Sequence, residues 1–273
     1  MEEIVMDPAQ IDYSALDRPE ILMFLFHPRP EWRGIDGDED GVEDLLIPVE
    51  KGIQLGARFY GQDPAAPTIL FFHGNGEIVD DYHELGPIYT GMGINFLPVD
   101  YRGYGRSTGQ PTITAMMRDG HAVFAYVRRW LRDKGPSGPF LVMGRSLGSA
   151  CALELACHYQ ADIQGLIVES GFAYAGPLLR LLGVDLDAIA FSEEKGFRNV
   201  DKVRDFLRPT LIIHAELDHI IPFSDGQALY EACPAQEKTL LKIPGANHND
   251  IFMKGLSAYL QAVKDLMEKI KDF

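Results

Sequence analysis

The sequence predicts an α/β protein with a mostly parallel, twisted sheet and helices on both of its faces. After one hairpin, short apolar runs typical of buried strands alternate with segments of helical periodicity. Such alternation favours a parallel sheet covered by helices. Polar residues capable of chemistry follow several of these strands, and functional groups of such sheets gather at the carboxyl ends of the strands. No repeat or flexible linker divides the chain, so we expect one domain over residues 1–273.

The elements follow from local patterns. Lys51-Gly52 separates two strand-like segments and predicts a hairpin. Apolar spacing of three and four residues predicts helices, most clearly over 112–134 and 253–271. The predicted strands cover 43–50, 53–60, 68–72, 94–101, 140–143, 166–170, 209–214 and 238–243, and the other predicted helices cover 79–89, 150–157 and 225–232.

Two segments do not fit this alternation. Residues 1–42 form an N-terminal extension whose apolar run, 21–26, is followed by prolines. Residues 171–208 are too apolar for a bare loop and too irregular for one strand. We interpret 171–208 as a small helical lid insertion over the site; an enlarged connecting helix of the sheet is the alternative.

Composition excludes several classes of partner. The chain is 46% hydrophobic and 24% charged, as in ordinary globular proteins, and its formal charge is −15. Nucleic acids and anionic membranes bind basic patches, so we expect neither as a partner. No apolar run approaches the length of a membrane span.

The N-terminal residues and the cysteines indicate the cellular compartment of the protein. The first residues, 1–7, are acidic and lack the basic and apolar regions of a signal peptide. Cys151, Cys157 and Cys233 form no CxxC pair, which favours buried thiols in a reducing compartment. We therefore expect a cytoplasmic protein. No His, Cys and carboxylate residues have metal-ligand spacing, so we expect no metal and no cofactor.

The most informative stretch is 140–149, Phe-Leu-Val-Met-Gly-Arg-Ser-Leu-Gly-Ser. An apolar strand runs directly into Gly-x-Ser-x-Gly and then into a helix, which places Ser146 on a sharp turn with an exposed hydroxyl. Gly144 and Gly148 are needed because a Cβ at either position would crowd the neighbouring elements. The N–H of Leu147 then faces the place where an oxyanion would form. A plain strand-to-helix turn is the alternative.

Two further residues complete a chemical set. Asp218 follows the strand 209–214, and His248 lies in the loop after the strand 238–243. Ser146, Asp218 and His248 thus stand at strand ends in the chain order found in one class of serine hydrolases. A serine hydroxyl needs a base such as imidazole, and a carboxylate orients that imidazole. Asn75, just after a strand end, would supply the second oxyanion N–H.

Other residues compete for these roles. Glu169 and Glu216 are rival acids because both stand at strand ends. His219 is the rival base, but a residue beside the acid can hardly face it. His73 is interpreted as structural, with its ring tying loops together by hydrogen bonds, and the remaining histidines as surface or core residues.

The chain resembles the α/β-hydrolase superfamily over residues 43–273. The matching motifs are His73–Gly76, Asp100–Ser107, Gly144–Gly148, Glu216–Asp218 with Ile221–Pro222, and Gly245–His248. With Gly109–Pro111 and Asn247–Asp250, they are most similar to the branch that holds bacterial serine hydrolases and eukaryotic protein depalmitoylases. The resemblance implies the α/β-hydrolase fold, a Ser146–Asp218–His248 triad and an oxyanion hole from the Asn75 and Leu147 backbone.

The depalmitoylases of that branch attach to membranes through an N-terminal cysteine-rich segment, and residues 1–42 contain no cysteine. The sequence therefore favours a soluble hydrolase that cleaves small-molecule esters or thioesters through an acyl-enzyme intermediate. A peptidase or amidase on the same scaffold is the first alternative, and a non-catalytic binding protein is the second. The substrate and the oligomeric state stay open.

Overall fold

The computed structural model describes residues 11–31, 41–61, 63–135 and 138–271. These residues form one eight-stranded sheet. Its strands are β1 Val42–Glu50, β2 Ile53–Tyr60, β3 Thr68–Phe72, β4 Asn95–Val99, β5 Phe140–Arg145, β6 Gly165–Glu169, β7 Thr210–Ala215 and β8 Lys238–Ile243. Strand β2 pairs antiparallel with β1 and β4, whereas every other neighbouring pair is parallel. The order of the strands in the sheet is β1-β2-β4-β3-β5-β6-β7-β8.

Helices cover both faces of the sheet, which confirms the predicted fold class. The α-helices are α1 Pro19–Leu25, α2 Leu85–Gly91, α3 Ile113–Lys134, α4 Ser149–His158, α5 Ala175–Leu181, α6 Asn199–Arg204, α7 Phe223–Ala232 and α8 Ile251–Ile270. Every residue of β3 to β7 is buried, because these strands lie between two helical layers.

The two faces of the sheet carry separate hydrophobic clusters. Leu70 and Phe72 of β3 pack in the cluster that contains α3, α4 and α7. Their neighbours Ile69 and Phe71 pack in the cluster that contains α2 and α8. This alternation along one strand follows from the two-residue period of β structure.

One predicted helix is divided. The segment predicted as a helix over 79–89 forms a 3-10 turn, Val79–Tyr82, followed by the short helix α2. Pro87 explains the division, because it has no N–H to donate to a carbonyl of the preceding turn. In the first turn of α2 that N–H is not needed.

The described part of the N-terminal extension is packed into the fold. A 3-10 turn, Tyr13–Leu16, precedes α1, and the side chains of Tyr13, Ile21 and Leu25 are buried in the main core. The Tyr13 hydroxyl donates to Glu154 Oε2 at 2.8 Å and accepts from Lys202 Nζ at 2.6 Å. Residues 1–10 and 32–40 of the predicted extension lie outside the described residues.

The segment 171–208 contains two kinds of structure. Helix α6 lies in the layer that covers the sheet, with Val200, Lys202 and Val203 buried. Helix α5 and the 3-10 turn Glu193–Lys195 precede α6, and Leu179, Val184 and Leu186 of this part pack in the main core. The interpretation of 171–208 as a lid over the site stays a prediction. Among the described helices, none has the length and apolarity to cross a membrane.

We expect Tyr13→Phe to destabilise the protein by about 1–3 kcal/mol, because a buried hydrogen bond between the Tyr13 hydroxyl and a carboxylate is lost without a change of shape. Urea denaturation would measure the free energy of unfolding. Tyr126→Phe is the matched control, since this half-buried tyrosine has no hydrogen bond through its hydroxyl in the described structure. Equal effects of the two substitutions would contradict the role assigned to Tyr13.

Candidate active site

Ser146 lies on a strained turn between β5 and α4. Its backbone φ is 50°, a left-handed value that residues other than glycine rarely adopt and that is concentrated at functional sites. A Cβ on Gly144 would lie 2.2 Å from the carbonyl oxygen of Gly148, and one on Gly148 would lie 2.1 Å from that of Phe72. Only glycine fits at these two positions, and this close approach places the Ser146 side chain at the carboxyl end of the sheet.

His248 and Asp218 meet Ser146 at this edge. His248 Nε2 is 3.0 Å from Ser146 Oγ, and His248 Nδ1 is 2.7 Å from Asp218 Oδ2. Because the carboxylate accepts at Nδ1, the proton of a neutral ring lies on Nδ1 and Nε2 accepts from the serine hydroxyl. The structure therefore brings the three predicted residues, separated by up to 102 positions, into one hydrogen-bonded chain.

Asp218 is held as a carboxylate. Its Oδ1 accepts from the backbone N–H of Ile220 at 3.0 Å and of Ile221 at 2.9 Å. Burial by itself would raise the pKa of Asp218, but the hydrogen bond and charge of His248 and these two N–H groups outweigh burial and lower the pKa. The neighbouring His214 ring donates to the carbonyl of Ile221 at 2.8 Å and steadies the same loop.

Arg145 connects the serine turn to the histidine loop. Its guanidinium donates to the carbonyl oxygen of His248 at 3.2 Å and to the Asn249 side chain at 3.3 Å. Nε lies 2.9 Å from Glu77 Oε1 and 3.6 Å from Glu169 Oε1. Burial would raise the pKa of Glu77, but the Arg145 charge, together with the Tyr82 hydroxyl, the His73 ring and the backbone N–H of Gly74, outweighs burial and lowers the pKa.

The rival residues have other partners. Glu169 is buried and accepts from the hydroxyl of Tyr259 at 2.7 Å, and burial raises its pKa. Glu216 bonds Lys242 at 2.9 Å and the backbone of Gly245 at 2.9 Å. His219 is exposed and bonds the side chain of Asn247. None of the three makes a hydrogen bond with the His248 ring in the described structure.

The ring of His73 lies between the loops that follow β3 and β4. Its ring is buried, Nδ1 donates to the carbonyl of Gly74 at 2.8 Å, and Nε2 is 3.3 Å from Asp100 Oδ1. The hydroxyl of Tyr101 donates to the His73 carbonyl at 2.7 Å. His73 thus connects the loops after β3 and β4.

Two backbone N–H groups are available near Ser146. In the described part of the chain, the N–H groups of Asn75 and Leu147 have no acceptor. For Leu147 this follows from its place in the first turn of a helical segment, where N–H groups lack intrahelical partners. The Asn75 side chain is fixed by the backbone N–H of His27 at 2.9 Å and the hydroxyl of Tyr104 at 2.8 Å.

A cleft of about 210 Å³ opens at Ser146 and His248. A second cleft of about 260 Å³ lies on the other side of Leu178 and Ile220, beside Asp218. The first cleft has a largely apolar wall, contributed by Phe24, Leu25, Leu147, Leu178, Leu182 and Ile220. Helices α1 and α5 therefore both shape the space in front of the serine.

Sequence reasoning missed three parts of this site. Arg145 was the variable residue of the Gly-x-Ser-x-Gly motif and carried no signal of its own. Glu77 lies between the motif His73–Gly76 and the predicted helix 79–89, and no pattern gives it a role. The apolar run 21–26 contained the cleft residues Phe24 and Leu25, but nothing in the sequence connected that run to the site.

The fold and the geometry define a class, the hydrolases built on the α/β-hydrolase fold. The family model described as "Serine aminopeptidase, S33" matches residues 63–190. The chain is 31% identical over 246 residues to alpha/beta hydrolase domain-containing protein 17C of Xenopus tropicalis, covering 88% of this chain and 74% of the relative. To the human 17B protein it is 29% identical over 252 residues, covering 88% and 80%. The chain belongs to the α/β-hydrolase superfamily of serine hydrolases, in the family of these domain-17 proteins.

Solved structures agree on the fold. Est1E from Butyrivibrio proteoclasticus, in a complex with ferulic acid, has a TM-score of 0.68 at 20% identity and covers 83% of this chain and 99% of its own. The Pyrococcus furiosus esterase Pf2001 has a TM-score of 0.67 at 20% identity and covers 89% and 98%. The predictions of superfamily, fold and hydrolase enzyme are confirmed.

We expect Arg145→Met to destabilise the protein by about 3–5 kcal/mol, because Glu77 and Glu169 would lose their buried cation. Urea denaturation would measure this loss. Arg118→Met is the control: Arg118 is 57% exposed and pairs with Glu50 at the surface, so its loss should cost about 1 kcal/mol or less. A cost for Arg145→Met as small as that of the control would show that the buried network does not stabilise the site.

Proposed function

We propose that the protein hydrolyses carboxylic esters or thioesters through an acyl-enzyme intermediate. The observation that carries the proposal is the hydrogen-bonded chain in which the His248 ring lies 3.0 Å from Ser146 Oγ and 2.7 Å from Asp218. In this arrangement the serine hydroxyl donates to the imidazole and the imidazole donates to the carboxylate, as nucleophilic catalysis by serine requires. It stands at the base of a cleft with an apolar wall.

Each residue has one role in the proposed reaction. Ser146 Oγ attacks the carbonyl carbon while His248 Nε2 takes the hydroxyl proton, which it later gives to the departing alcohol or thiol. Asp218 keeps the His248 ring in the required tautomer and stabilises its positive charge. The N–H groups of Asn75 and Leu147 donate to the oxyanion. Water then attacks the acyl-Ser146 ester, with His248 again as base, and releases the acid.

The apolar wall favours a substrate with an acyl chain or another apolar part. The side chains of Leu178 and Leu182, from α5 and the residues after it, are half-buried and face the cleft that contains Ser146. Burying a methylene group in such a wall contributes about 0.8 kcal/mol. A preference for apolar acyl groups is therefore part of the proposal.

A peptidase or amidase is the second candidate, because the matching family model is described as a serine aminopeptidase. The same residues can attack an amide carbonyl. Comparing p-nitroanilides with p-nitrophenyl esters of the same acyl group separates the two. Cleavage of the anilides alone would favour the second candidate.

A cytoplasmic location is also proposed. Its support is that Cys151, Cys157 and Cys233 are free thiols, which fits a reducing compartment. A fractionation experiment with an antibody to the protein would test it.

We expect Ser146→Ala to abolish both labelling by a fluorophosphonate and hydrolysis of p-nitrophenyl esters, with kcat lower by about 10⁴-fold or more, because no other group supplies the nucleophile. Ser149→Ala is unsuitable as a control, since the Ser149 hydroxyl donates to the Ser146 carbonyl at 2.6 Å. Ser257→Ala, at an exposed position on α8, is the matched control and should keep full activity. Persistent labelling of Ser146→Ala would reject Ser146 as the nucleophile.

We expect Leu178→Trp to lower kcat/KM for long acyl chains roughly tenfold or more while leaving acetate esters less affected, because the larger ring would fill the cleft beside Ser146. A series of p-nitrophenyl esters from acetate to palmitate would measure the shift. Leu207→Trp, at a 59% exposed position just before β7, should leave the series unchanged. If Leu178→Trp leaves kcat/KM unchanged for every ester of the series, the acyl group does not bind in this cleft. The adjoining cleft beside Asp218 would then be tested.

A further inference from the structure

A cluster of potential metal ligands lies between α3 and α4, away from the proposed active site. His121 comes from α3, and Glu154 and His158 come from the same face of α4, since they are four residues apart. One donor atom from each residue lies within 4.8 Å of the other two. Two imidazoles and a carboxylate are a ligand set that suits Zn²⁺.

The distances fit a tetrahedral ion. His121 Nε2 is 3.3 Å and His158 Nδ1 is 3.8 Å from the same oxygen, Glu154 Oε1. Ligands bound about 2.0–2.1 Å from a tetrahedral Zn²⁺ lie about 3.4 Å from one another. The two distances to Glu154 Oε1 are therefore close to those between ligands of one ion, and the His158 ring is the ligand that must turn to bind it.

Surrounding contacts orient two of the ligands. Glu154 Oε2 accepts from Tyr13 at 2.8 Å and pairs with Lys202 Nζ at 2.7 Å, which leaves Oε1 directed at the two histidines. His121 Nδ1 lies 3.0 Å from the hydroxyl of Tyr159, so its proton can reside there while Nε2 faces the cluster. Such outer partners fix the tautomer and orientation of metal ligands. The charge of Lys202 opposes a divalent ion and limits its affinity.

His158 must change both its tautomer and its orientation. Its Nδ1 lies 2.9 Å from the carbonyl oxygen of Glu154, so in the metal-free protein this nitrogen carries a proton and donates it. Binding of Zn²⁺ at Nδ1 needs that proton to move through solvent to Nε2 and the ring to turn so that Nδ1 leaves the Glu154 carbonyl oxygen. The His158 side chain is 22% exposed and the His121 side chain 26% exposed, so water and the ion can reach both rings.

We propose that His121, Glu154 and His158 form a zinc-binding site that joins α3 to α4, with water as the fourth ligand. His158 lies about 14 Å along α4 from its first residue, at the end remote from Ser146. The ion is therefore expected to stabilise the fold and to take no part in hydrolysis. The linear sequence did not predict the cluster, because His121 is 33 residues from Glu154.

The test uses the full-length protein after removal of metals with a chelator. Isothermal titration with ZnCl₂ should show one ion bound per chain, and the Tm should rise by about 5 °C when free Zn²⁺ exceeds Kd about 100-fold. The double variant His121→Ala/His158→Ala should lose both effects. His83→Ala, which removes a histidine outside the cluster, and His248→Ala, which removes a histidine of the proposed active site, should retain them.

The partly exposed His121 and His158 allow the double variant to fold, and its metal-free Tm checks this. If it does not fold, the single variant His158→Gln and the visible absorption of bound Co²⁺ in the unaltered protein replace it. Absence of stoichiometric binding by the unaltered protein would overturn the proposal. Zinc binding that survives in the double variant, or that disappears in His248→Ala, would also overturn it.

Discussion

The close approach of the turn after β5 to the end of β3 is the constraint on which the proposed site depends. A Cβ on Gly148 would lie 2.1 Å from the carbonyl of Phe72, so glycine is required where α4 begins beside the sheet. Ser146, two residues before Gly148, has a left-handed backbone conformation with φ of 50°. The strain is sustained because Ser146 joins a fully buried central strand to a helix buried along most of its length.

A buried charge network connects this turn to the loop that carries His248. Arg145 follows the pattern of buried ions, because its guanidinium is compensated by two carboxylates and by carbonyl and amide oxygens. Arg145 is the last residue of β5, the strand that leads to Ser146, and it donates a hydrogen bond to the backbone carbonyl of His248. Serine and histidine positions are thereby coupled through the protein interior.

The walls of the cleft come from the parts of the chain that are least regular. Helix α1 contributes Phe24 and Leu25, and α5 with the residue after it contributes Leu178 and Leu182. The sheet positions the polar groups, whereas α1 and α5 determine what can lie against them. This division agrees with the general tendency of α/β folds to keep a constant framework and vary the segments at the carboxyl edge of the sheet.

Local patterns in the sequence were enough to predict the class of sheet, most of its strands and the placement of Ser146, Asp218 and His248 at strand ends. Apolar runs, glycine spacing and polar residues at strand ends are all short-range signals. Only the tertiary structure decided that Arg145 would contact the His248 loop, that α1 would line the cleft and that His121 would meet Glu154. These contacts join residues 33 or more positions apart, and their partners follow from how helices and strands pack in space, which no local pattern records.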